Sequence, residues 1–147
     1  MSDEVIFPKT NQFVDTNILV YAHDSSAGEK HERASALIRS MWQSENGCLS
    51  IQVLQEFYVT VTRKVVHPLS TAQAAQIIGD LGVWRMHTPT VADVLDAIQI
   101  QTRYQISFWD AMIIQSANQL KCETLWSEDL NHSQVYRTVQ VQDPFVG

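Results

Sequence analysis

Gln12-Phe13-Val14-Asp15-Thr16-Asn17-Ile18-Leu19-Val20-Tyr21-Ala22 reads as a short buried strand over residues 12–15 that passes straight into a helix over 17–22. Asp15 sits at the joint, where a carboxylate commonly accepts from the free N–H groups of the first helical turn. Beyond a break at 23–28, Ala34, Leu37, Ile38 and Met41 fall at i, i+3, i+4 and i+7, the spacing of an amphipathic helix that starts at Glu29 and ends near Asn46-Gly47. Residues 48–50 form a second candidate strand. Leu54, Phe57, Tyr58 and Val61 mark a helix over 52–65, stopped by His67-Pro68, and another helix covers 71–81. Residues 84–87 read as a strand, and 90–104 as a helix with Val91, Val94, Leu95 and Ile98 at helical spacing. An apolar helix follows over 108–120, then short strands over 124–127 and 139–141, separated by a polar stretch at 131–134. Alternation of this kind predicts an α/β fold with a central, mainly parallel sheet flanked by helices. No repeat, low-complexity run or linker interrupts it.

The length of 147 residues suits one domain with one core. An apolar share of 45% and a charged share of 18% are those of an ordinary globular protein. No window nears the roughly 18 apolar residues that a membrane-spanning helix needs. Residues 1–11 read as an N-terminal extension without the apolar centre of a secretory signal, so a soluble, cytoplasmic protein with no membrane partner is expected. Cys48 and Cys122 are far apart and lack metal-ligand spacing, which makes them reduced core residues rather than a disulfide or zinc framework.

Four acidic clusters are strung along the chain: Asp15, Glu56 in Leu54-Gln55-Glu56-Phe57, Asp110 in Phe108-Trp109-Asp110-Ala111, and Glu128-Asp129 after Leu125-Trp126-Ser127. Each has an ordinary explanation alone. Asp15 can cap a helix. Glu56 points away from the apolar face of its helix, as solvated glutamates do. Asp110 follows Ser107 by three residues in the manner of a capping box, and Glu128-Asp129 can belong to a turn. Trp109 is the residue that capping leaves unexplained. Taken together the acids mean more, because ligands of open α/β sheets collect beyond the carboxyl ends of the strands, where both Asp15 and Glu128-Asp129 lie. Like charges gathered there repel unless a cation sits among them, and hard oxygen ligands are those of Mg²⁺ or Mn²⁺. Two such ions can clamp the attacking and leaving oxygens of a phosphodiester. The net charge of −6 is unusual for a nucleic-acid enzyme, yet without these five acids it is −1.

The pieces Val14-Asp15-Thr16-Asn17-Ile18-Leu19, Gln55-Glu56-Phe57, Ser107-Phe108-Trp109-Asp110-Ala111 and Leu125-Trp126-Ser127-Glu128-Asp129-Leu130 stand in an order and spacing similar to that of PIN-domain proteins, and within them to VapC-type toxins of toxin–antitoxin pairs. The resemblance spans Phe13 to about Val141. It implies a single PIN-like domain acting as an Mg²⁺- or Mn²⁺-dependent endoribonuclease. Asp15, Glu56, Asp110 and Asp129 would form its catalytic set, with Asp15, Asp110 and Asp129 on the metal and Glu56 orienting or deprotonating the attacking water. Asn17 is implied as an orienter of a carboxylate, Ser127 as a holder of a phosphate or water, and Glu128 as a further supporting residue. Asn131 and Ser133 stand where the family often continues with an aspartate and a glycine, so a fifth acidic ligand is not expected. Also implied are 5′-phosphate and 3′-hydroxyl products, a structured RNA substrate such as tRNA or rRNA, a small antitoxin partner, and pairing into a homodimer.

Basic residues are scattered. Arg63, seven positions after Glu56, falls on nearly the same helical stripe and is the first candidate for an RNA phosphate, with Lys30, Arg33 and Arg39 behind it. The five histidines show no ligand spacing. An aspartate-nucleophile phosphatase would carry a second aspartate where Asn17 stands. A PIN fold used in RNA processing, or only as a binding module, remains the alternative function.

Overall fold

The computed structural model describes residues 10–146; the larger part of the expected N-terminal extension, residues 1–9, lies outside the described residues. The elements run β1 (Gln12–Val14), α1 (Thr16–Ala22), a 3-10 turn (Ser25–Ala27), α2 (Glu29–Ser44), β2 (Gly47–Ser50), α3 (Ile51–Arg63), α4 (Thr71–Leu81), β3 (Arg85–His87), α5 (Val91–Tyr104), α6 (Phe108–Gln119), β4 (Thr124–Trp126), β5 (Val135–Tyr136) and β6 (Val139–Gln142). They build the expected α/β fold around one sheet of strand order β3-β2-β1-β4-β6-β5. Every neighbouring pair is parallel except β5 with β6. Phe13 and Val14 of the inner strand β1 are fully buried, as a strand covered on both faces requires.

The chain moves from β1 outward to β2 and β3 on one side, then returns to β4 and β6 on the other. Its direction therefore switches between β1 and β4, the place where open α/β sheets leave a crevice at their carboxyl edge. The register pairs Val14 with Trp126. The next residues, Asp15 and Ser127, must then leave the sheet side by side, and the Asp15 N–H donates to the Trp126 carbonyl at 2.9 Å.

Two features differ from the sequence expectation. The polar stretch before β6 leads into β5, a two-residue strand that folds back antiparallel on β6 and is too short to carry a period-2 pattern. In α5, the apolar residues that marked the helix face outward, Val91 at 78% and Leu95 at 57% exposure, while Asp93, Ala97 and Ile100 are buried. The orientation follows from Asp93. Its carboxylate accepts from the Thr90 N–H (2.8 Å) and from Gln115 Nε2 of α6 (3.0 Å), and lies 3.0 Å from His87 Nε2 at the end of β3. His87 Nδ1 meets Ser116 Oγ at 2.7 Å, so the network ties β3, α5 and α6 together. A buried carboxylate is tolerated only with such partners, and satisfying it turns the apolar stripe toward solvent.

Cys48 and Cys122 are buried and free, as expected. Among the described residues no helix is long and apolar enough to cross a membrane.

Candidate active site

Asp15 is the fixed point of the carboxyl edge. It caps α1, accepting from the Thr16 N–H at 2.7 Å through one oxygen, and its other oxygen accepts from the Ser127 hydroxyl at 2.7 Å. Burial pushes its carboxyl up to about 7; the hydrogen bonds from Ser127 and Thr16 work against that rise, and the charges of Asp129 and Asp110 add to it. Ser127, itself fully buried, also accepts the Asp129 N–H at 3.1 Å. One hydroxyl thus orients the buried acid and shapes the turn that carries the next one.

Asp110 comes from the first turn of α6, where its N–H donates to the Ser107 hydroxyl at 3.0 Å. Only this half of the capping box forms; the carboxylate does not reach back to the Ser107 backbone N–H as it does in the complete boxes of α4 and α5. Half-burial raises the Asp110 carboxyl above its ordinary range, the Ser107 hydroxyl lowers it, and the Asp129 charge raises it further. Asp129 is exposed and close enough to act on both other aspartates. Three elements distant in sequence therefore bring Asp15, Asp110 and Asp129 within electrostatic reach of one another.

Glu56 stands at the rim on α3. It accepts from Gln52 Nε2 at 2.7 Å and from Thr16 Oγ1 at 3.4 Å. Gln52 Nε2 also reaches the Trp109 carbonyl at 3.3 Å, which links the Glu56 helix to the entry of the Asp110 helix. Trp109 is 65% exposed beside the acids.

The remaining expected residues are placed differently. No carboxylate accepts from Asn17: both of its amide atoms are closed from water and lack a partner among the described residues. Glu128 is directed away from the aspartates, with one oxygen accepting from the Tyr21 hydroxyl at 2.5 Å and the other from Lys30 Nζ at 2.8 Å. Lys30 is spent in that pair, and Arg33 pairs with Glu29 at 3.0 Å, so neither is a free cation for a substrate phosphate. A cleft of about 430 Å³ lies between α1 and the end of α3, lined among others by Asn17, Glu56, Thr60, Lys64, Val66 and Asp129 but not by Asp15 or Asp110. Arg63 is exposed but does not line it; Lys64 does, at the end of the Glu56, Thr60, Lys64 row. Sequence reasoning missed Lys64 and Gln52, although both lie at multiples of four from Glu56.

Among the described residues no three His, Cys, Asp or Glu side chains close into a group that could hold a metal ion. The donor set nonetheless fits a hard divalent cation: Asp129 and Asp110 raise the Asp15 carboxyl, Asp129 raises that of Asp110, and the buried Asp15 has no basic partner among the described residues. A divalent ion is the charge that such a set lacks.

A parallel sheet with acidic side chains gathered at its switch point defines an α/β domain with a centre suited to a cation. Residues 13–138 match the model of the PIN domain, and the chain belongs to that family. None of the curated proteins matches the chain at a significant level. Among solved structures, it is similar to VapC20 of Mycobacterium tuberculosis, described as a toxin that cleaves the sarcin–ricin loop, at 22% identity and a TM-score of 0.63, over 81% of this chain and 92% of that one. It is also similar to a toxin–antitoxin complex from Klebsiella pneumoniae (16% identity, TM-score 0.66, 92% of this chain and 98% of that one). DNA-bound VapBC from Salmonella typhimurium matches at 14% identity with a TM-score of 0.63 over the same shares of 92% and 98%. At these identities the likeness is one of fold.

Proposed function

We propose that this protein is a divalent-metal-dependent endoribonuclease and the toxin of a VapBC-type toxin–antitoxin pair, acting in the cytoplasm. The observation that carries this reading is the buried Asp15 at the carboxyl edge of a PIN-domain sheet, held by the Thr16 N–H and the Ser127 hydroxyl, with Asp110 and Asp129 near enough to raise its carboxyl. Asp15, Asp110 and Asp129 would hold Mg²⁺ or Mn²⁺. When bound, the ion supplies Lewis acidity toward the scissile phosphate and the attacking water. Ser127 aims Asp15 by donating to it, and that bond favours the ionised form against the rise that burial imposes. Glu56, exposed at the rim and held by Gln52 and Thr16, would orient the water or take its proton. Lys64 is the basic residue of the cleft that would meet a backbone phosphate. Attack by water on phosphorus with breakage of the P–O3′ bond, the 3′ oxygen leaving and taking up a proton, would leave 5′-phosphate and 3′-hydroxyl ends.

Structured RNA, tRNA or rRNA, is the proposed substrate, and VapC20, described as cleaving the sarcin–ricin loop, makes that loop the first rRNA site to examine. The Klebsiella and Salmonella complexes support a small antitoxin as partner. The outward apolar stripe of α5 supports pairing with a second copy of the chain.

The test is cleavage of total RNA by wild-type protein and Asp15→Asn, each with Mg²⁺, Mn²⁺ or EDTA, followed by mapping of the ends. Cuts with 5′-phosphate ends that vanish in EDTA and in the variant are expected. Equal cutting by a folded Asp15→Asn would sink the assignment.

A further inference from the structure

Glu128 and Asp129 are neighbours in sequence and opposites in fate. Ser127 is buried and Leu130 is nearly so, which anchors the turn at both ends. Between them Glu128 reaches toward the helices while Asp129 acts on Asp15 and Asp110. Both Glu128 oxygens are taken, one by Tyr21 of α1 and one by Lys30 of α2. The grip is itself supported: the Lys30 ammonium stands 5.0 Å from the Tyr21 ring centre and 5.2 Å from that of Phe145, and these two rings meet edge to face at 5.4 Å. The Tyr21 carbonyl meets His31 Nδ1 at 2.9 Å, joining α1 to α2 just behind the pair.

From this we infer that Tyr21 and Lys30 are positioning residues for the acidic centre, because by holding Glu128 they decide which acid of the Glu128-Asp129 pair faces Asp15 and Asp110. Adjacent side chains of an extended or turning backbone leave it in different directions, so fixing one restricts the other. The ammonium also neutralises a carboxylate that, if released from this grip, could turn toward the aspartates and add a further negative charge to theirs. Partners that orient ligands from outside in this way typically change metal affinity by about 10–100-fold when removed. The inference rests on the cation-binding reading of the centre.

The experiment is calorimetric titration of the RNA-free protein with Mn²⁺, alongside its melting temperature, for wild type, Lys30→Met, Lys30→Arg, Tyr21→Phe, Glu128→Ala and the double variant Lys30→Met/Glu128→Ala. Lys30→Met should weaken Mn²⁺ binding about tenfold, Tyr21→Phe about threefold, and Lys30→Arg less than twofold. Since Lys30 acts through Glu128, the double variant should bind no more weakly than the weaker single one. A lower melting temperature with unchanged Mn²⁺ affinity would make the cluster merely structural and overturn the inference. Tighter binding in Lys30→Met would overturn it too, since a released Glu128 would then be a ligand. If wild type bound no Mn²⁺ at all, the cation reading would fall and the positioning role with it, whereas the other adverse results strike positioning alone.

Discussion

The entries to α5 and α6 begin with nearly the same words, Thr90-Val91-Ala92-Asp93 and Ser107-Phe108-Trp109-Asp110, and end in opposite chemistry. In both, the hydroxyl of the capping residue accepts the N–H of the aspartate three positions on. At α5 the aspartate answers by accepting the Thr90 N–H, and Gln115 and His87 complete its set. Burial alone would raise the Asp93 carboxyl, but the bonds from Gln115 and Thr90 and the nearby His87 more than offset it and hold it below the usual range. At α6 the box stays half made, and Asp110 is raised, by burial first and then by the charge of Asp129. A carboxylate whose hydrogen-bonding capacity is filled by protein is structure. One left unfilled beside other acids is available to a ligand.

The largest way to sharpen this contrast is to remove each acid in turn. Asp110→Asn should lower RNA cleavage by at least about a thousandfold, in the range seen for loss of a general catalytic group, with little change in urea unfolding. Asp93→Ala should do the reverse. It strands the Gln115, His87 and Thr90 partners and should cost about 3 kcal/mol in urea unfolding, while cleavage per folded molecule stays within about threefold.

Acidity offers a second contrast of opposite sign. The folded Asp15 carboxyl titrates at about 7 against 3.8 for the ordinary group, so between those values the folded state holds a proton that the unfolded chain has lost. Metal-free protein should therefore lose stability as the pH rises through that window, by roughly 2–4 kcal/mol at most, and Asp15→Asn should remove the slope. Added Mn²⁺ should flatten it as well. Asp93 is held below 3.8, so its contribution is present above that value and fades as the pH falls through the folded one; Asp93→Ala should remove this acid limb. Melting temperatures from pH 3 to pH 9 would read both arms. The smallest effects belong to the caps themselves. Thr90→Ala and Ser107→Ala should each cost about 1 kcal/mol, and a tenfold larger drop in cleavage for either would mean that capping and catalysis are not separate here.

Much of the architecture was legible because long helices with apolar spacing, separated by short apolar strands, leave few alternatives. The run from Gln12 through Asp15 to Ala22 became β1 and α1 with the expected aspartate between them. That Asp15 and Asp129 lie just past strand ends and Asp110 in the first turn of a helix was legible too. What stayed hidden depended on partners far away in sequence. Glu128 looks as able a ligand as Asp129 until Tyr21 and Lys30, more than ninety residues earlier, are seen to hold it. The stripe of Val91, Val94, Leu95 and Ile98 spells a helix correctly but not which way it faces, since one buried aspartate with four polar contacts from three residues outweighs it. Lys64, eight positions after Glu56, lines the cleft where Arg63, seven after it, does not, a difference of one residue at the end of α3 that helical spacing alone leaves open.

The sheet ends in a three-residue strand on one side, β3, and a two-residue strand on the other, β5. A border that short offers a foreign strand only a few free amides and carbonyls, too few to template a longer ladder. Among the described residues, borders this short disfavour edge-to-edge stacking of one copy on another. Lengthening either border by a few β-branched residues would be expected to turn the molecule into one that clumps.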